Sequence, residues 1–403
     1  MVVVKSFSRC FLFAIIMVSR ISIETAKEME CDCQFGSYTY QRDTILPNKT
    51  ATVFGGLICN CSSRGLYAFP PSIQNMEQVV SLDLSKNNFS MISDWNLTRF
   101  TSLAFLDVTD NPITNIKPNT FTEDALTTLI ELHSGPELVQ KGFFQNRVAD
   151  NTMDDTAAIP NLKRLVISQS GTGITKKRQG DILTTLPQLT IFKESLQELK
   201  ISGIAINELP ANFVDNFTRL ESVVIEDIYV DKELNKETFV NLPLLYHFKL
   251  TRSEFITNYG LWASFLLFVP SLKVLNMATN TNMGGLDELL TKETKPLELD
   301  SLDLSFDKLN YLSLKYIYIV NINLRNNDMG LLKVRFENAW FQHLDVSNNS
   351  MTKFVKPGKF YKVDDKDDKQ LRKRYTINKI SLLFLHSAQN FLTFTPNASF
   401  ILI

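Results

Sequence analysis

Catalytic or metal chemistry in this chain would have to be built from four histidines, five cysteines and a few adjacent carboxylates. His133, His247, His343 and His386 are scattered, and none has a second ligand residue at helical spacing, so they do not announce a metal centre. Glu226 and Asp227 have the chemistry of an acid and a base. Consecutive strand residues point to opposite faces, however, so this pair reads as a solvated edge. The stretch Gly171-Thr172-Gly173 lacks the downstream glycine of a dinucleotide fingerprint, and G-x-S-x-G and H-E-x-x-H are absent. No cofactor is implied, and the residues do not read as those of an enzyme.

The cysteines carry a different chemistry. Lys5 and Arg9 precede the apolar run Phe11 to Val18, and Arg20 closes it. This reads as a secretory signal over residues 1–26, because a bilayer span needs about 20 apolar residues. An uncleaved signal anchor is the alternative. Cys31, Cys33, Cys59 and Cys61 survive cleavage, an even set in one short segment of an exported chain, which suggests two disulfides. Two C-x-C pairs also have the donors for zinc, but export argues against it. Sequons begin at Asn48, Asn60, Asn88, Asn96, Asn216, Asn348 and Asn397. With the signal and the cysteines they fit an extracellular glycoprotein.

The elements that position these residues follow a period. Val79 to Ile92, VVSLDLSKNNFSMI, returns as LAFLDVTDNPITNI over Leu103 to Ile116. Both fit the frame L-x-x-L-x-L-x-x-N-x-L, which recurs at Leu162, Leu196, Leu220, Leu245, Leu272, Leu299, Ile319 and Phe341. A period in this range marks a solenoid whose units bury their apolar faces only against neighbours. The residues around each L-x-L should form a short parallel strand with both leucines inward. The 29 phenylalanines, Phe213, Phe239 and Phe268 among them, read as a second core layer in the return segments. The asparagine position is Asn87 and Asn111, then Ser170, Ile204, Ile228 and Ser253, then Asn280, Asp307, Asn327 and Asn349. An amide there satisfies backbone groups where the chain leaves the strand, so residues 117–260 should be the irregular part.

A possible further repeat lies inside 125–140, ALTTLIELHSGPELVQ, although its fit to the frame is poor. Segments 141–158 and 171–181 read as inserted loops, and 364–374, DDKDDKQLRKR, as a solvated loop. A possible last repeat spans 380–394. The chain is expected to comprise the signal over 1–26, a cysteine cap over 30–75, repeats over 76–355, and an uncapped end over 356–403. That open end is either covered by its own tail or continues into a longer receptor.

The face opposite the leucines carries a central column of Asp83, Asp107, Val166, Lys200, Val224, Lys249, Asn276, Asp303, Asn323 and Asp345. Arg164, Glu198, Glu226, His247, Arg252, Arg325 and His343 flank it. Acids at both ends and bases in the middle suggest that an acidic ligand docks around Arg164, Lys200, Glu226, His247, Lys249 and Arg252. The plainer reading is that these charges keep exposed strands soluble. Phe105 and Phe306 are candidate hydrophobic anchors. A glycan on Asn348 would obstruct the last repeats and push binding toward the others. The formal net charge of −1 gives no electrostatic case for nucleic acid or a membrane surface.

The repeats, the C-x-C pairs and ICNCSSRGLYAFPPSI at Ile58 to Ile73 resemble the capped ectodomains of extracellular leucine-rich repeat proteins of the Toll-like, Slit-like and chaoptin-like types. The resemblance covers residues 31–355. It implies an α/β solenoid, a horseshoe with parallel strands on its concave face and irregular or short helical convex segments. It also implies the pairing of Cys31 with Cys59 and Cys33 with Cys61. The expected function is recognition or adhesion, binding a protein or glycan through the concave face. The alternative is a non-catalytic partner of a secreted enzyme. The chain departs from the Toll-like pattern in carrying no membrane helix, no signalling domain and no C-terminal cysteine cap.

Overall fold

A computed structural model describes residues 31–43, 45–46, 51–92, 95, 97–116, 126–140, 145–147, 153–157, 159–170, 186, 189–230, 238–255, 269–280, 285–289, 297–309, 311–327, 333–345, 348–349 and 381–382. The signal segment, residues 171–181 and 364–374, and Asn48, Asn96, Phe268 and Asn397 lie outside them. The chain divides into two units. One comprises Met1–Tyr40, Ala51–Leu138 and Phe143–Asn161; the other comprises Gln41–Thr50, Val139–Gly142 and Leu162–Ile403.

The first unit is built on β1 (Asp32–Gln41), β2 (Ala51–Asn60), β3 (Val79–Asp83), β4 (Phe105–Asp107) and β5 (Glu131–Ser134), neighbours in that order. From β2 onward the pairing is parallel. Leu82, Leu106 and Leu132 stand in register and are buried. β5 lies in the stretch that fitted the frame poorly, and it is a regular rung all the same. Beyond it, Gln145–Arg147 and Met153–Ala157 pair antiparallel, so the insertion read over 141–158 contains a hairpin.

The second unit carries β6 (Arg164–Ser168), β7 (Glu198–Ser202), β8 (Ser222–Glu226), β9 (His247–Thr251), β10 (Val274–Asn276), β11 (Leu297–Asp303), β12 (Tyr311–Asn323), β13 (Lys333–Asp345) and β14 (Ser381–Leu382). Each pairs parallel with the next. Strand alternation sends one row inward: Leu165, Leu199, Val223, Phe248, Leu275, Leu302 and Ile322, none more than 3% exposed. Each such side chain contributes about 1.5–3 kcal/mol on burial. In the return segments Phe192, Phe213, Phe217 and Phe239 are fully buried, as are Phe89 and Phe100 in the first unit, which is the expected second layer. Among the described residues the helical turns of the returns are short: 3₁₀ turns at Met76–Gln78, Leu97–Arg99 and Thr190–Phe192, and the helix Pro136–Gln140. The architecture is therefore an α/β leucine-rich repeat solenoid.

The asparagine ladder does the work expected of it. Asn87 Nδ2 donates to Cys61 O and Leu84 O at 2.9 Å, while its Oδ1 accepts from the Arg64 and Leu66 amides at 3.0 Å. Asn327 Nδ2 likewise donates to Leu304 O at 2.8 Å and Leu324 O at 2.9 Å. The residue before the ladder position has positive φ in both regular and degenerate repeats: Lys86, Asp110, Gly203, Asp227, Arg252, Thr279, Phe306, Asn326 and Asn348. Register thus survives where the amide is lost. At Gly203, with φ +68°, an added Cβ would lie 2.4 Å from Gln169 O, so glycine is required there.

The disulfides depart from the expected pairing. They join Cys31 to Cys61 and Cys33 to Cys59. The chain between the two C-x-C pairs carries β1 and β2, neighbours in the sheet, and the bridges join the outer cysteine of each pair to the outer one of the other and the inner to the inner. The bridged cysteines have their Cα atoms 4.5 and 4.1 Å apart, within the reach a disulfide needs. Each bridge closes a loop worth about 3–4 kcal/mol in unfolded-state entropy.

Candidate binding face

On β6 to β9 of the second unit, the residues alternating with the core leucines form three cross-strand rows. The first is Arg164, Glu198, Ser222 and His247; the second is Val166, Lys200, Val224 and Lys249; the third is Ser168, Ser202, Glu226 and Thr251. In-register parallel strands stand about 4.8 Å apart, so charges in neighbouring positions of a row, or on its diagonals, can reach one another.

They do so around one carboxylate. Glu226 accepts from Lys200, from Lys249 Nζ at 3.1 Å and from Arg252 Nη2 at 3.0 Å. Arg252 also grips Asp227 with Nε and Nη2, both at 2.8 Å. The expectation that Glu226 and Asp227 point to opposite faces therefore fails. β8 ends at Glu226, and Asp227 has φ +55°, which breaks strand alternation and turns both carboxylates to a single guanidinium. Burial alone would raise the Glu226 pKa, but the Lys200 and Lys249 ammonium groups outweigh it and hold the carboxyl at about 2. Asp227, hydrogen-bonded to the guanidinium, pushes the Arg252 pKa up despite the opposing effect of burial.

The first row carries a second cluster. Arg164 donates to Glu198 Oε2 through Nε at 3.0 Å and Nη2 at 2.6 Å, and to the Gln41 carbonyl at 2.7 Å. Arg42 pairs with Glu221. His247 is 2% exposed; its Nδ1 lies 3.0 Å from Ser222 Oγ and 3.4 Å from Asp43 Oδ2. The hydrogen bond to His247 holds the Asp43 carboxyl below its ordinary value. A serine, a histidine and an aspartate thus meet, but serine and aspartate share the same ring nitrogen. A proton relay needs one partner on each nitrogen, so this is not a hydrolytic triad.

In the first unit Asp107 and Glu131 flank His133, at 3.3 Å from Nδ1 and 2.9 Å from Nε2. Phe105 packs edge-on against the ring, 5.0 Å between centroids, and Tyr38 donates to Glu131 and stacks on Phe105. Burial opposes the charged imidazole, but the two carboxylates prevail and raise its pKa to about 9. Phe105 is thus committed to this packing, while Phe306 is 52% exposed.

Of the expected site residues, Arg164, Lys200, Glu226, Lys249 and Arg252 do lie on one face, in an alternating network of opposite charges. His247 lies beneath the surface. The sequence reading missed Arg42, Asp43 and Glu221, which no period or motif marks. It also missed the second role of the central column. Asp83, Asp107, Asn276, Asp303 and Asn323 each accept the backbone N–H two residues on, at 2.9–3.1 Å. The D-x-S/T spacing of Asp83-Leu84-Ser85, Asp107-Val108-Thr109 and Asp303-Leu304-Ser305 was the available signal. Among the sequon asparagines described, Asn60, Asn88, Asn216 and Asn348 are exposed. No group of three His, Cys, Asp or Glu among the described residues is arranged to hold a metal, and no described helix is long and apolar enough to cross a membrane.

No family model matches the sequence, and no curated protein does. Among solved structures the chain is similar to the leucine-rich repeat domain of APL1B, at 16% identity and TM-score 0.38, over 70% of this chain and 72% of that one. It is similar to mouse RP105 in its complex with MD-1, at 15% identity and TM-score 0.38, over 72% of this chain and 54% of that one. It is also similar to TLR13 in complex with ssRNA13, at 15% identity and TM-score 0.36, over 79% and 51%. The chain thus spans about half the length of the RP105 and TLR13 chains it matches. At this level of similarity none of them bears on function.

Proposed function

We propose that this chain is an extracellular recognition module, and that Lys200, Lys249 and Arg252 on the second unit bind an acidic segment of a protein or glycan. The observation that carries this reading is the composition of the Glu226 cluster, where three cations meet two carboxylates on and just beyond the ends of in-register strands. Lys200 and Arg252 keep 41% and 48% of their side chains exposed. An incoming carboxylate or sulfate can therefore take over the free donors without unpacking the strands. Arg252 offers the planar fork suited to such groups, and Lys200 a movable point charge. Half-exposed pairs of this kind are individually worth about 0–1 kcal/mol, so exchanging partners costs little. Secretion over a cleaved 1–26 segment and glycosylation at Asn60, Asn88, Asn216 and Asn348 belong to the same proposal.

The test is titration of the secreted chain with heparin and with a polyglutamate peptide, at low and moderate salt. Lys200→Glu, Lys249→Glu and Arg252→Glu together should lower affinity at least tenfold for the probe that binds. The corresponding Gln variants should give a smaller loss, with the melting transition retained. Unchanged affinity in the triple variant, or binding insensitive to salt, discards the patch.

A further inference from the structure

The first-row cluster holds something the Glu226 cluster does not: a piece of the chain itself. We propose that this part of the second unit is a peptide-binding site, occupied by the segment Gln41 to Leu46 that joins β1 to β2. An outside peptide carrying a basic residue followed directly by an acidic one binds there when that segment is released. The segment is engaged as a ligand would be. Its Gln41 carbonyl accepts from Arg164 at 2.7 Å, its Arg42 guanidinium pairs with Glu221, and its Asp43 carboxylate meets His247 at 3.4 Å. Consecutive side chains of opposite charge thus meet a carboxylate, Glu221, and an imidazole, His247, and one main-chain carbonyl fixes their register.

The segment arrives in a preset shape. The Ile45 amide donates to Asp43 Oδ1 at 3.1 Å and the Leu46 amide to Asp43 O at 3.0 Å, so Asp43 both closes a turn and faces the receptor. The contact is partly buried: His247 is 2% exposed and Leu46 1%, while the Arg42, Glu221 and Asp43 side chains keep 11%, 20% and 24% of their surface. An ion pair such as Arg42–Glu221 in a partly buried place is worth more than at an open surface. The fit also has a weak point. Arg42 Nε is buried and meets no acceptor among the described residues. An unpaired buried donor costs binding free energy, so a peptide that presents its guanidinium better competes with the resident segment. Because the segment is tethered at both ends, it holds the site by effective concentration rather than by intrinsic affinity. The titratable and charged groups facing it are Arg164 and Glu198 on β6 and β7, Glu221 before β8 and His247 on β9.

The site does not depend on the acidic-ligand reading, because Lys200, Lys249 and Arg252 make none of these contacts. The test is direct binding of a fluorescent peptide of sequence TYQRDTIL, residues 39–46, to the full chain. Arg42→Glu with Asp43→Lys in the protein should release the resident segment. The released variant is expected to bind the peptide at least tenfold more tightly than the unaltered protein does. Adding Glu221→Arg should abolish that binding, and a peptide with Glu in place of its Arg should restore it. Within the chain, Arg42→Glu or Glu221→Arg alone should lower the melting temperature and the double exchange should recover it, which separates loss of contact from loss of fold. Equal binding to released and unaltered protein, no binding to the released form, or no recovery by charge exchange overturns the proposal. Heparin or polyglutamate binding is unaffected in either case, so the two readings fail separately.

Discussion

Two parts of the second unit close the same turn in different ways. In the later repeats the column residue, Asn276, Asp303 or Asn323, caps the backbone two residues on, and a buried amide or carboxyl follows at Asn280, Asp307 or Asn327. In the central repeats the column is Val166, Lys200, Val224 and Lys249, which cannot cap, and each strand runs on for two more residues. Ile204 and Ile228 then stand where an asparagine would, both buried. The backbone groups are instead satisfied by a second parallel sheet of Ala205–Ile206, Tyr229–Val230 and Glu254–Phe255. The Tyr229 amide donates to Ile204 O at 3.1 Å, and the Glu254 amide to Ile228 O at 2.9 Å. Buried polar backbone must be paired, and side-chain amides and a second sheet are two solutions to that one demand. The central solution leaves longer strands and free column positions, and that is where Lys200, Lys249 and the Glu226 cluster sit.

This contrast can be broken most directly at the ladder. Asn327→Ala removes two donated and two accepted side-chain hydrogen bonds from a buried site and should destabilise the unit by about 3 kcal/mol. Ser253→Ala, where one hydroxyl stands in the same position, should cost about 1 kcal/mol. Equal losses in denaturant melts would show that the second sheet does not replace the amide.

A smaller effect, of opposite sign, is expected at Asp307. Burial pushes its carboxyl up to about 8, against the Asn280 amide that donates to Oδ1, and Oδ2 meets no partner among the described residues. The folded form keeps a proton that the unfolded chain releases near the ordinary aspartate value of 3.8. The folded form therefore binds more protons across that window, and stability falls as pH rises from about 4 through 8. Asp307→Asn supplies the ladder's amide donor. It should stabilise by about 1–3 kcal/mol at pH 8, be nearly neutral near pH 4, and flatten the pH profile of thermal unfolding.

Glu226→Gln should give the smallest change, about 0.5 kcal/mol at neutral pH, because its partners are partly exposed. Its folded pKa of about 2 lies below the ordinary glutamate value of 4.5, so the contribution is present above pH 4.5 and disappears as pH falls toward 2. Wild type and variant should converge in that acid window. A difference persisting at pH 2 would mean that packing, not charge, is what Glu226 supplies.

The sequence by itself determined the repeat, because a strand must alternate and a solenoid must return its leucines at a fixed interval. Leu82, Leu106, Leu165, Leu199 and Leu302 were legible on that ground, as were Asn87, Asn111, Asn280 and Asn327. A residue such as Asn87 is forced by local geometry that recurs in every turn, so spacing reveals it. Only the tertiary structure decided the disulfide partners, since the placing of β1 beside β2 brings Cys31 to Cys61 and C-x-C spacing does not. It alone turned Asp227 onto Arg252, through one left-handed residue that breaks strand alternation. It alone brought Arg42 and Asp43 to Glu221 and His247. Those residues lie far apart along the chain, and no period links a loop to the strands it meets, so their pairing exists only once the chain is folded.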